Sequence, residues 1–79
     1  MVRMGFFKIV NVENPTPATK TFLATMEILG AEKMTLPDGS ILFYFEELPA
    51  IMNNVKHEWT ETNKSFDEIR EIVLRYRSI

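Results

Sequence analysis

AEKMTLPDGSILFYFE, residues 31–46, is the stretch whose reading decides the fold. Proline presets a turn and glycine tolerates positive φ, so Pro37-Asp38-Gly39 predicts a tight reversal between an arm at Ala31–Leu36 and an arm at Ser40–Glu46. The second arm is apolar on both sides of the pleat. Ile41, Phe43 and Phe45 point one way, Leu42 and Tyr44 the other. A sheet containing such a strand owns two oily faces, and both need cover.

Working back from the hairpin, Gly30 supplies a left-handed stop for a helix that begins after Glu13-Asn14-Pro15-Thr16-Pro17. Pro15 disfavours a helical Asn14, Thr16 can cap, and Pro17 suits the first helical turn. Ala18, Phe22, Met26 and Leu29 recur at helical spacing with Leu23 on the flank; Lys20, Ala24 and Glu27 lie opposite. Before it, Gly5–Val12 (GFFKIVNV) is β-branched and aromatic and predicts a strand. Phe6, Val10 and Val12 share one face of that strand, Phe7 and Ile9 the other.

Working forward, Leu48–Thr62 has two readings. Pro49 can open a helix carrying Met52, Val55 and Trp59, while Val55, His57 and Trp59 also alternate against Lys56, Glu58 and Thr60 as a strand does. The alternation favours a strand from about Asn54 to Glu61. Ser65-Phe66-Asp67-Glu68 is a capping box and predicts a last helix reaching about Arg77. Its acids at 67 and 68 and its bases at 75 and 77 stand where the macrodipole favours them. Phe66, Ile69, Ile72, Val73 and Tyr76 are the expected buried stripe. With no linker, repeat or low-complexity tract, residues 1–79 read as a single α+β domain of order β-α-β-β-β-α, one four-stranded sheet with two helices on one face.

Composition narrows the function. Of 79 residues none is cysteine, which removes a disulfide framework, thiolate metal sites and thiol catalysis, and favours a cytoplasmic home. Met1–Val10 has an apolar stretch interrupted by Lys8 and lacks a small-residue cleavage pattern, so it is a poor secretory signal, and no run approaches a membrane span. A domain this small buries only roughly 60–65% of its unfolded surface, leaving little stability for a large cleft, which argues against a self-contained enzyme. Net charge is -2, which argues against long-range attraction to nucleic acid. Residues 31–63 carry six acids and two bases, and residues 64–79 three acids and four bases, so the chain is mildly dipolar.

Few residues carry chemistry. The serines that would need to sit beside the lone His57 already have simpler uses, Ser40 in the hairpin turn and Ser65 at a helix cap, so no catalytic residue is assigned. Gly5, Gly30 and Gly39 are scattered singly and build no phosphate loop. His57 with Glu58 and Glu61 is the one cluster of metal-ligand side chains; a single imidazole with two surface-type acids falls short of a metal site, and no cofactor or metal is expected.

Val10-Asn11-Val12-Glu13, Phe22, Ile28-Leu29-Gly30-Ala31-Glu32 and Pro37-Asp38-Gly39-Ser40-Ile41-Leu42-Phe43 together resemble one module of the vicinal oxygen chelate superfamily, which includes glyoxalases and bleomycin-resistance proteins. His57–Ile69 is similar to that family's next strand and helix, where a metal-binding histidine often sits near the strand start. The position matching the family's first metal histidine holds Phe7, and the paired module is missing after the final helix. The resemblance therefore implies a fold relative more than a working metal enzyme, with His57 alone carried over and two copies completing such a structure as a dimer.

Counting oily surface against cover gives the functional expectation. Two helices on one face would leave Phe7, Ile9, Leu42 and Tyr44 facing water, and burying each such side chain is worth about 1.5–3 kcal/mol. Leu74, beside Arg70 and within reach of Arg77, would add a small apolar and cationic patch. These seven residues form the predicted interface of a non-enzymatic protein-binding module, a regulator, adaptor or inhibitor of a larger intracellular protein, with homodimerisation also open. The alternatives are a small-molecule or metal-binding relative of the chelate superfamily and a single-stranded nucleic-acid binder. The latter would stack bases on the strand aromatics, although no run matches the aromatic signature of RNA-recognition sheets.

Overall fold

The computed structural model describes residues 5–77, the side chain of Arg77 excepted. β1 (Gly5–Val10) leads through a bend, where Asn14 takes the left-handed conformation at φ 57°, into α1 (Pro17–Leu29). Thr16 caps α1 by accepting from the Thr19 amide at 3.2 Å. At the other end Gly30, at φ 75°, donates to the Glu27 carbonyl and Ala31 donates to that of Met26. This paired bonding satisfies the orphan carbonyls of the last turn.

β2 (Glu32–Thr35) and β3 (Ile41–Phe45) form the expected hairpin, with Gly39 at φ 90° and the Asp38 carboxylate accepting the Ser40 amide at 2.9 Å. The next segment is a 3-10 helix over Ala50–Glu58, followed by the short strand β4 (Thr60–Thr62). Each reading of Leu48–Thr62 holds for part of it: the helix carries Met52 and Val55 and takes the segment up to Glu58, and the strand expected from Asn54 to Glu61 is confined to Thr60–Thr62, the fourth strand of the sheet. In a 3-10 helix residues three apart share one side, so Met52 and Val55 turn into the core and Glu58 follows on the same column. α2 (Phe66–Arg77) closes the chain, its Glu68 amide donating to the Ser65 hydroxyl oxygen at 3.3 Å.

The four strands form one antiparallel sheet of order β2-β3-β1-β4. β1 and β2 therefore run parallel with β3 between them, and β3 and β4 run parallel with β1 between them. The two connections are related by a half-turn in the plane of the sheet, so one handedness rule sends both across the same face. Side-chain packing agrees. Phe6, Phe43 and Phe45 are buried with Met26 of α1 and with Met52 and Trp59, while Phe22, Leu23, Leu29 and Val55 pack around them. Order and crossovers follow the split β-α-β plan of ferredoxin-like sheets, with the second crossover reduced to a 3-10 helix and a helix added at the end.

That added helix corrects the expectation of two helices on one face. α2 joins no two described strands, so the crossover rule does not place it beside α1, and it covers the opposite face. Ile69 and Val73 are buried there with Leu36, Leu42 and Tyr44, flanked by Phe7, Ile9, Met34, Phe66 and Leu74. The molecule is layered as helix, sheet, helix, with a core on each side of the sheet.

One glycine makes the second core possible. Tyr44 leans from β3 across β1, and its hydroxyl donates to the Lys64 carbonyl at 3.0 Å, just before α2 begins. A Cβ on Gly5 would stand 2.7 Å from Cζ of that ring. Gly5 is the gap through which Tyr44 reaches α2's entry.

Candidate protein interface

The strip expected to meet a partner is occupied from within. Leu42 is 0% exposed and Tyr44 5%, and Phe7 and Ile9 are half-buried against the same cluster. Both faces of the strands are apolar, as expected, and the second is not open to a partner because α2 lies on it. The same placement puts Phe7 and Tyr44 out of reach of stacking bases, and the other strand aromatics, Phe6, Phe43 and Phe45, lie in the opposite core.

The α2 residues of the predicted patch are also not gathered on an outer surface. Arg70 is half-buried, 3.1 Å from Asp67 and with its guanidinium 5.8 Å from the Phe66 ring centroid. Leu74 packs into the second core, and the side chain of Arg77 lies outside the described residues. The expected stripe had Ile72 and Tyr76 inside with Leu74 off its edge, so the helix is rolled by about 60° relative to that reading. Chemistry favours the roll: Leu74 is wholly apolar, whereas Tyr76 carries a hydroxyl that water solvates.

Rolling the helix turns two large side chains outward. Ile72 is 36% exposed and Tyr76 80%, and with Glu68 they form a row at four-residue spacing on α2. Glu71 and Arg75 are exposed beside that row. The sequence signal for this surface was present in the spacing, since Ile72 and Tyr76 flank the Ile69–Val73 axis on one side as Leu74 does on the other; only the position of the sheet decides which flank is buried. Ile28 on α1 and Ile51 on the 3-10 helix are exposed too, each as an isolated residue on its element.

His57 lies exposed on the 3-10 helix, not on a strand, while Glu58 of the same segment pairs with Lys8 of β1 at 3.3 Å. Lys8 also stands 5.0 Å from the Phe22 ring centroid, which lets an ammonium sit at the edge of an apolar face. Among the described residues no three His, Asp or Glu side chains gather in a metal-binding group. The grooves are open and shallow. One of about 320 Å³ runs between Leu23, Ala24 and Glu27 of α1 and Lys33, Ile41 and Phe43 of the hairpin, with a 3.0 Å Lys33–Glu27 ion pair among its walls. No described helix is long and apolar enough to cross a membrane. Comparison with protein-family models, with curated proteins and with solved structures finds no match.

Proposed function

We propose that this protein is a non-enzymatic protein-binding module, a regulator, adaptor or inhibitor that acts by surface contact through the outer row of α2. The observation that supports this reading is the pairing of Ile72 with Tyr76, 80% exposed, one helical turn apart on a helix whose inner side already fills a core. A tyrosine on a rigid helix presents a large amphipathic surface at low conformational cost, which is why such residues anchor protein interfaces. Complete burial of each of these two side chains is worth about 1.5–3 kcal/mol.

The test compares the immobilised protein with Tyr76→Asp and His57→Ala variants of unchanged circular dichroism. Binding of a stoichiometric protein partner is expected to survive His57→Ala and to be lost on Tyr76→Asp. Retention unaffected by Tyr76→Asp, or a divalent cation that raises Tm only while His57 is present, overturns the reading.

A further inference from the structure

We infer that the partner of α2's outer row is a second copy of the same helix, packed antiparallel about a two-fold axis at Ile72; this rests on the protein-binding reading above and names its partner. The row Glu68–Ile72–Tyr76 is symmetric in position about its middle residue. Two antiparallel copies therefore set Ile72 against Ile72 of the second copy and Tyr76 against Glu68, where a phenol hydroxyl meets a carboxylate acceptor, twice over.

Charge selects this arrangement over the others. On and beside the row, the exposed acids Glu68 and Glu71 lie in the first half of α2 and the exposed Arg75 in the second, while Asp67 faces away and pairs with Arg70. An antiparallel pair lays each acidic half on a basic half and opposes the two macrodipoles; a parallel pair stacks acid on acid. A uniformly acidic or basic surface would match one half of the helix and repel the other. Ile28 and Ile51, although 85% and 76% exposed, have no second large exposed apolar residue on their own elements and suit no helical row.

The contact is small. A helix of this length spans about 18 Å, so the area falls below that of a standard stable interface, and the pair exchanges readily with free protein. Because the chain contains no cysteine, a single introduced thiol reports the geometry without interference. Ile72→Cys is expected to oxidise to a disulfide-linked dimer, since the axis brings the two Cβ atoms within bridging range. Ile28→Cys and Ile51→Cys, at positions of greater exposure, are expected to remain largely monomeric under the same oxidation.

In sedimentation equilibrium from about 10 μM to 1 mM, the mass of the unmodified protein is expected to rise from 9.2 kDa toward twice that value, and Ile72→Asp to hold it at 9.2 kDa. Glu71→Arg is expected to weaken the pair and Glu71→Arg with Arg75→Glu to restore it. A protein that stays monomeric to 1 mM, a dimer indifferent to Ile72→Asp, or equal cross-linking at positions 28, 51 and 72 overturns the self-pairing. A monomer whose capture of another protein is lost on Tyr76→Asp overturns this inference and leaves the protein-binding reading standing. A monomer with no Tyr76-dependent capture overturns both.

Discussion

The two faces of the sheet are closed by different means. On the first, α1 and the 3-10 helix are each held by strands at both ends, and the rings interlock: Phe22 meets Phe43 nearly edge-on at 5.5 Å and Trp59 tilts against Phe45 at 5.4 Å. On the second, α2 follows the last described strand and is fixed at its entry by the Tyr44–Lys64 hydrogen bond and the Ser65 cap. A layer tied at both ends leaves only when the sheet comes apart. Among the described residues the second core buries five side chains against seven in the first and is closed by one helix, so it is the one from which partial opening starts.

The largest effect that sharpens this contrast is Phe43→Ala. Phe43 is 1% exposed at the centre of the first face, and its loss costs about 3–5 kcal/mol, a large share of what a small domain has. Urea titration followed by circular dichroism should show all structure lost in one early transition. Gly5→Ala comes next, at about 1–3 kcal/mol, because the new Cβ displaces the Tyr44 ring. Hydrogen exchange should quicken at α2 amides while α1 amides hold their protection; equal quickening in both helices would merge the two faces into one cooperative unit.

Ser65→Ala removes the cap of α2 at a cost of about 1 kcal/mol, and the change should appear in the first turn of that helix without touching the Phe22–Phe43 contact, as read by amide and ring chemical shifts. The smallest effect belongs to Trp59→Phe. The buried indole N–H finds no acceptor among the described residues, and an unsatisfied donor costs about 1–3 kcal/mol, which offsets the lost ring area. Stability should move by less than about 1 kcal/mol in the same titration, and a loss as large as that of Phe43→Ala would mean the N–H is satisfied.

What was legible in the sequence was local. Thr16, Pro17 and Gly30 bracket α1, Pro37-Asp38-Gly39 makes the hairpin turn, and Ser65 with Glu68 starts α2, because each acts on backbone groups within four residues. Leu48–Thr62 was not legible for a reason of period. Met52, Val55 and Glu58 repeat every three residues, between the two of a strand and the 3.6 of an α-helix, and Val55, His57 and Trp59 imitate alternation.

The outward surface is set one level higher. Alternation marks Phe7, Ile9, Leu42 and Tyr44 as a second apolar face, but no local pattern states on which side of a sheet α2 comes to rest. With α2 on the face opposite α1, Leu74 turns inward and Ile72 and Tyr76 become its outward residues.

The strand order carries a consequence for synthesis. β1 leaves the ribosome before either of its neighbours, and Gly5 waits for Thr62 before its side of the ladder can close. Until then Phe6 and Phe7 have only incomplete company in the nascent chain, and closing so long a loop is slow relative to helix formation. α1, complete by Leu29 and capped at both ends, is the element available to shelter Phe6 through that interval, while Phe7, on the other face, waits for α2.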